Sequence, residues 1–494
     1  AEDLFVFGAA AGVGAVGIAG AIGVVVVDSD TSAYVGGTAQ VNQRESGDAS
    51  QSVLVTAGNK LDFFAGHGAL ALSLGGSAAG ALGVGIIRSD TSAYTAAGTR
   101  VNAGGDVIVG AAELMNVDQL VISGGGGALA LAASVSVLSF GNDLNSDQNA
   151  ELSVGGQNAI TEADGAASTG WSNDVLGGFA SSDGSENVDG TGQPSATARI
   201  ASATQNSNST VASNTSGTAA SGATASVTTT GTDAFVAGVV NAGDDVFIRA
   251  NERIDLDTDA GAVSLGFAAV GAGITVNTLS RGTTASIDST ATISAGRSTT
   301  FGQVDVLSDM RINADSVSVL GTAGLAGALG ASVVVHTDST GARAEIDGDV
   351  IDSDRITLSA SSERDIVLES TQLAVGSFVA GASVSQVDIT GTTEARIGTL
   401  ADIGGGTNGG VDSLDMDARS DTVASVTGRS LSGGLAAGGV NIMGVDIGGT
   451  TRADINSANI NVSGAMTVDA NSVATGTATV RGLSLRLVTL GLSK

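Results

Sequence analysis

The chain has 494 residues, 74 of them glycine, with one proline, no cysteine and a formal net charge of −30. The absence of cysteine excludes disulfide staples and thiol chemistry. The strong acidity excludes nucleic acid and anionic membranes as partners. Hydrophobic residues make up 42% of the chain but aromatic residues only 3%. Such small side chains suit a thin core between β-sheets about 10 Å apart better than the centre of a large globule.

The first apolar stretch, residues 13–27, alternates large and small side chains with a period of two. The large ones share one parity: Val16, Ile18, Ile22, Val24 and Val26. A second stretch repeats the pattern with Leu70, Leu72, Leu74, Leu82, Val84 and Ile86. Period-two alternation predicts strands with unlike faces. We expect the larger side chains to form the core and the smaller ones to form a flat outer face.

A membrane-spanning helix is the competing interpretation of residues 4–27, which carry no charge and are long enough to cross a bilayer. Comparable stretches recur once per repeat, alternate with period two and lack flanking Lys/Arg asymmetry. The pattern therefore favours strands, and we expect no membrane insertion.

Internal repeats follow the apolar stretches. The segment DSDTSAYVGGTAQVN at 28–42 recurs as RSDTSAYTAAGTRVN at 88–102. Weaker copies give the alanine anchors Ala33, Ala93, Ala150, Ala285, Ala344, Ala395 and Ala453. Their spacing, 51–60 residues except for one long interval, predicts an all-β fold: a single parallel β-helix or β-solenoid over 1–494 with roughly seven degenerate repeats. One broad coil per repeat and two or three narrower coils both remain open.

The long interval predicts an insertion at 155–222. This segment is rich in Ser, Thr, Asn and Gly, and it holds the only tryptophan, Trp171, and the only proline, Pro194. Long loops are usually functional or disordered, and solenoid insertions bulge from one face. It is either an excursion without a partner or a ligand-binding protrusion anchored by Trp171.

The repeat unit resembles the β-strand repeats of large bacterial secreted adhesins. The matching features are a Gly/Ala/Val-rich strand, then SDTSAYV at 29–35, then VNAGGDVIV at 101–109. Filamentous-haemagglutinin-like proteins, leukotoxin-type adhesins and autotransporter passengers are the families concerned. The resemblance covers nearly the whole chain outside 155–222. It implies export, a right-handed parallel β-helix and a role in adhesion or surface structure, and it carries no catalytic residues.

No catalytic motif is present, and we expect a protein that is not an enzyme and requires no cofactor. The two histidines, His67 and His336, are interpreted as strand-end side chains. Calcium is the one candidate ion, because oxygen-rich clusters suit it. Its candidate ligands are Asp347, Asp349, Asp352 and Asp354. Turn formation and solubilising charge are the simpler explanation of the same aspartates, and the nonapeptide pattern of known calcium-binding repeats is absent.

The two ends of the chain predict self-assembly, since neither carries the polar cap that solenoids normally use. The first residues include Glu2 and Asp3. The final alternating segment is basic and apolar: Arg481, Leu483, Leu485, Arg486, Leu487 and Lys494. An acidic start and a basic, strand-like finish suggest a head-to-tail homopolymer formed by strand addition.

The sequence thus predicts a structural subunit or segment of a fibre, extracellular or on a bacterial cell surface, that assembles with itself. The alternative is an adhesin passenger that binds a host or surface ligand, such as a glycan, through 155–222. A flat ice- or mineral-binding surface is a third reading, but the Thr ladders it needs are only patchy.

Overall fold

The computed structural model describes residues 2–43, 50–141, 231–297, 300–405, 410–489 and 492–493. All regular elements in these ranges are β-strands, so the all-β prediction is confirmed. The uncharged run 4–27 lies in two strands and not in a helix. Within the described ranges, no helix has the length and apolar character needed to cross a bilayer.

The strands fall into successive layers, and the first seven layers each contain one member of the repeated alanine column. The first layer holds β1 (Glu2–Gly14), β2 (Gly17–Val35) and β3 (Gln40–Val41), and the second β4 (Val53–Ser73), β5 (Gly76–Thr95) and β6 (Arg100–Ala103). The third holds β7 (Val107–Phe140), β8 (Gly231–Val236) and β9 (Val239–Ala242). The fourth holds β10 (Val246–Leu279), β11 (Gly282–Ile287), β12 (Thr292–Arg297) and β13 (Thr300–Phe301).

The remaining layers repeat this order. The fifth holds β14 (Gln303–Asp338), β15 (Gly341–Ile346) and the first residues of β16 (Asp349–Ile389). The sixth holds the rest of β16, β17 (Thr392–Ile397) and β18 (Asp402–Ile403). The seventh holds β19 (Val411–Ile447), β20 (Thr450–Ile455) and β21 (Asn459–Ile460), and the eighth β22 (Met466–Thr489) and β23 (Leu492–Ser493).

Each long strand pairs in parallel with the long strand of the next layer. For example, Val53 of β4 pairs with Val107 of β7, and Val246 of β10 pairs with Val304 of β14. The register therefore advances by one repeat per layer, so one repeat forms one broad layer and not two or three narrow coils. This stack of parallel strands is consistent with a β-solenoid.

One column of alanines, buried in the middle layers and partly buried at its two ends, runs through the stack and corrects the predicted repeat anchors. Its members are Ala33, Ala93, Ala234, Ala285, Ala344, Ala395 and Ala453. The third anchor is thus Ala234 and not Ala150. Ala150, Trp171 and the predicted insertion 155–222 all lie outside the described residues.

The long strands double back halfway along, so that each layer has two facing arms joined at a tip. In β7 the hydroxyls of Ser123 and Ser134 lie 2.9 Å apart across the layer. In β14 the corresponding contact joins Ser318 and Ser332, also at 2.9 Å. Glycines surround the tips because the two arms approach closely there. We call the strand half before the tip the first arm and the half after it the second arm.

The interior changes character from the wide base of each layer to its narrow tip. The base is filled by Val, Ile and Ala from the first arm and the short strands, including Val246, Ile248, Ile287 and Ile293. Larger side chains such as Phe63, Met115 and Phe140 fill the middle. Alanine, serine and glycine fill the tip.

This taper overturns the core prediction only for the large side chains near the tip; Leu82, Val84 and Ile86 are buried as expected, in a cluster of their own. Near the tip the opposite holds: Ala71 is fully buried, whereas its neighbour Leu74 is 93% exposed and Ile18 is 69% exposed. Two arms that lie close enough for serine hydroxyls to touch leave no room for leucine between them. The large side chains next to the tip therefore point outward.

Candidate assembly edges and polar sites

Three long strands have one edge without a partner within the described residues: β1 and β2 at the first layer, where β2 pairs only with β5, and β22 at the last. β1 pairs with β4 on one side, and β22 pairs with β19 on one side. An unpaired edge presents a row of backbone donors and acceptors that can accept another strand. These edges are the candidate assembly site, as the sequence predicts.

The predicted residues of the first edge are exposed at its beginning. Glu2 and Asp3 both lie on β1, and the carboxylate of Glu2 accepts a hydrogen bond of 2.7 Å from the hydroxyl of Ser29 on β2. Glu2 is therefore tied to its own layer.

The predicted residues of the second edge are only partly described. Arg481 lies on β22, and Leu483 and Leu485 beside it are 56% and 61% exposed. Arg486 and Leu487 belong to the same strand, but their side chains are outside what the structure describes. Lys494 lies outside the described residues altogether.

The register shows which residues would meet if a second copy continued the stack. Arg481 belongs to the column that begins at Ala9, whereas the column of Asp3 ends at Thr475. In-register addition would thus place Arg481 beside Ala9, about 20 Å along the strand from Asp3. The predicted attraction between an acidic start and a basic finish does not become a direct ion pair in this geometry. Leu483 and Leu485 would instead continue the columns of Ala11 and Val13.

The four predicted calcium ligands do not form a close cluster. Asp347 pairs with Arg396 at 3.2 Å, and Asp352 accepts a hydrogen bond from the backbone N–H of Gly410 at 3.3 Å. Asp349 begins β16, and Asp354 is exposed.

Among the described residues, three carboxylates whose oxygens lie within 4.8 Å of one another are found elsewhere, at Asp106, Asp244 and Asp245. The neighbouring Asp245 carboxylate raises the pKa of Asp244, and burial and Asp106 raise it further. Calcium binding stays a prediction for this chain.

A shallow acidic groove lies on the outer face of the first arms. Its walls include the column of Asp118, Asp257 and Asp315 and the stacked rings of Phe5 and Phe64, whose centroids are 5.0 Å apart. Burial raises the pKa of Asp257, and the next carboxylate in the column, Asp315, raises it further. Successive layers thus place carboxylates of the same charge directly above one another. Among the described residues, this column contains no basic side chain to offset them.

A buried ionic cluster lies inside the third and fourth layers. Arg281 donates to Glu113 at 2.8 Å and to Glu252, and all three side chains are fully buried. Thr283 donates to the second oxygen of Glu252 at 2.8 Å. Burial raises the pKa of Glu113 to about 7, with Arg281 opposing the rise and Glu252 adding to it. Sequence spacing gives no sign of this cluster, because Glu113 belongs to the third layer, and Glu252 and Arg281 lie 29 residues apart in the fourth.

A second buried pair occupies the fifth and sixth layers. Arg364 donates to Asp338 at 2.9 Å and to the backbone carbonyl of Thr340 at 2.7 Å. Asp338 in turn accepts from the hydroxyl and the N–H of Thr340. These bonds fix the corner between β14 and β15.

The side chains of both histidines lie inside the layers; His67 lies within β4, which corrects its predicted placement at a strand end, whereas His336 lies two residues before the end of β14. His67 is 2% exposed and His336 is fully buried. Burial lowers the pKa of His67, and it lowers that of His336 to about 4. Both rings are therefore neutral at physiological pH.

Comparisons with family models, with curated proteins and with solved structures find no match to this chain. The strand edges, the groove and the buried clusters consequently carry the functional argument alone.

Proposed function

We propose that the chain is a β-solenoid of roughly seven repeats and a structural segment of a fibre, extracellular or on a bacterial cell surface. It lengthens by adding the β1 edge of one copy to the β22 edge of the next. The observation that carries this proposal is the uniform parallel register between open edges. Each layer pairs with the next one through parallel strands in matching register. A further copy could pair with the open edge in the same way.

The columns at the two edges support in-register addition. Leu483 and Leu485 extend the same outward columns that begin with Ala11 and Val13, so apolar contacts would continue across the junction. Such a contact joins different surfaces of two identical chains, and contacts of this kind build open filaments. Location outside the cell rests on the cysteine-free, acidic composition and on the resemblance to secreted adhesin repeats.

Charge changes at Ala9 test both the assembly and its register. In-register addition brings Ala9 beside Arg481 of the next copy, so Ala9→Arg should shorten filaments through like-charge repulsion and Ala9→Glu should lengthen them. The double variant Ala9→Arg with Arg481→Glu should restore the length. Negative-stain electron microscopy of the full chain measures the length distribution. Asn251→Arg, on an exposed position of a central layer, is the matched control and should leave length unchanged.

Rods that stay single at every concentration would remove the fibre proposal. If filaments form but their length is the same in wild type and both Ala9 variants, the fibre proposal stands and the in-register junction is rejected.

The groove favours a second candidate, an adhesin passenger that binds a surface glycan. Carboxylates and the amide of Asn116 stand beside the rings of Phe5 and Phe64 in this groove, a combination of polar and aromatic groups suited to sugar hydroxyls and ring faces. A glycan array with wild type, Asp257→Asn and a chain lacking 155–222 separates the possibilities. Loss of glycan binding in Asp257→Asn would assign the binding site to the groove. Loss of binding only in the chain lacking 155–222 would assign it to the insertion.

A further inference from the structure

The outer face of the first arms is apolar and exposed close to the tip. Two of its columns supply the side chains Leu70, Leu72, Val263, Leu265, Leu373 and Val375. Each of these is between 42% and 54% exposed. We call the two columns, from Ala11 and Val13 to Leu483 and Leu485, the tip face.

The tip face carries no charged or polar side chain. Both columns consist only of Ala, Val, Leu and Gly through eight layers, in a chain whose net charge is −30. Exposed apolar areas of this extent on a soluble surface mark interaction sites.

The tip face is also flat. A Cβ atom on Gly124 would lie 3.0 Å from Leu70, and one on Gly126 would lie 2.9 Å from Leu72. At these two positions the leucines of one layer therefore lean over the glycines of the next and level the surface. Flat sheet faces pack on one another about 10 Å apart, with side chains between them.

The area is close to that of a stable contact between two copies. Eight layers about 4.8 Å apart, each contributing about 13 Å of strand for the two columns, give about 500 Å² per copy. A standard interface uses about 800 Å² per partner, and the neighbouring exposed side chains Leu74, Phe267 and Leu325 add to the tip face. Two copies share the same layer spacing, so the face matches itself over its whole length.

We propose that the tip face packs against the tip face of a second copy, so that rods pair side by side. This contact is separate from the edge-to-edge addition and does not depend on it. The net charge of both copies opposes their approach, and salt screens that repulsion while leaving apolar contacts intact. Pairing should therefore strengthen as salt concentration rises.

The double variant Val263→Lys and Leu265→Lys tests the contact. It places two charges in the centre of the tip face and should weaken side-by-side pairing by at least about tenfold. Sedimentation velocity at low and high salt, with filament width from electron microscopy, measures pairing. The control Thr56→Lys with Asn251→Lys adds the same charge at exposed positions of the first arms outside the tip face and should pair as wild type.

A second double variant in other layers, Leu373→Lys with Val375→Lys, should repeat the effect if the first pair disturbs folding. Filament length should stay unchanged in both, which separates this contact from end-to-end addition. Wild-type rods that never pair, or lysine variants that pair normally, would overturn the proposal. Flotation of the wild type, but not of the lysine variants, with phosphatidylcholine vesicles in the absence of pairing would assign the face to lipid and overturn it too.

Discussion

The guanidinium of Arg281 lies 2.8 Å from the carboxylate of Glu113, and both side chains are fully buried although 168 residues separate them. The same guanidinium also holds Glu252. One cation shared by two carboxylates leaves a net negative charge in the interior. Burial therefore raises the pKa of Glu113 to about 7.

Stability should fall as pH rises through the range set by Glu113. A buried carboxyl with a raised pKa binds its proton more tightly in the folded chain than in the unfolded one. The free energy of unfolding should thus decrease from pH 4.5 to about 7 and level off above. Burial also raises the pKa of Asp233 to about 7, so this group contributes in the same window. Urea unfolding measured across this pH range should show a shallower decline in Glu113→Gln; an unchanged slope would contradict the assignment.

Removing the shared cation should be far more damaging than removing one carboxylate. Arg281→Met leaves two buried carboxylates without their cation and should cost about 3–5 kcal/mol above pH 7, and less at acidic pH where Glu113 binds a proton. Arg253→Met is the control, because Arg253 forms an exposed pair with Asp255 that should contribute less than about 1 kcal/mol. Equal losses in the two variants would refute the buried cluster.

The later layers carry two columns of alternating charge on the outer face. One column is Arg343, Glu394 and Arg452, and the other is Glu345, Arg396 and Asp454. Arg452 lies 2.7 Å from Glu394, and Arg343 lies 3.0 Å from Glu345. Opposite charges therefore meet both along each strand and between layers.

Reversing the central charge of this network should destabilise the chain. Arg396→Glu would stand beside Glu345 and Asp347 and should lower the free energy of unfolding by about 1–2 kcal/mol, because networks exceed isolated exposed pairs. The loss should shrink at high salt. Arg419→Glu, whose arginine lies 3.9 Å from Asp421 in an exposed pair, is the control. A salt-independent loss at Arg396 would indicate a packing effect instead.

The fit of His67 against the facing arm gives a packing prediction. A Cβ atom on Gly23 would lie 1.8 Å from the buried His67 ring, whereas one on Gly20 of the same strand meets nothing within 4 Å. Gly23→Ala should therefore cost about 1–3 kcal/mol, and Gly20→Ala much less. Thermal unfolding should show recovery when His67→Ala is combined with Gly23→Ala. Additive losses in the double variant would mean that the two residues do not touch.

The fold class could be predicted from the sequence. Period-two alternation and the repeated segment at 28–42 and 88–102 are local patterns that can be read without knowing the folded layer. The direction of the alternation does not follow. Whether leucine or alanine faces inward depends on the distance between the two arms, and only the folded layer sets that distance. The third repeat anchor was misplaced for a related reason. The segment around Ala150 resembles the repeat in sequence, but the residue that pairs with Ala93 in the folded chain is Ala234.

The candidate edges were predictable from the pattern of strands, but the residues that would meet there were not. Their identity depends on the strand register of every layer between the two edges. Following that register from layer to layer aligns Arg481 with Ala9. The buried cluster of Glu113, Glu252 and Arg281 was equally hidden, because each member looks like an ordinary surface charge in its own repeat.

The contact between Tyr34 and Tyr94 tests the layered register most directly. They are the only two tyrosines in the chain, and their rings stack 5.1 Å apart between the first and second layers. Magnetic-resonance spectra of tyrosine-labelled chains, diluted with unlabelled chains, should show a strong cross-peak between the two rings. If the first and second layers do not stack in this register, the diluted sample will show two tyrosine spin systems with no cross-peak between them.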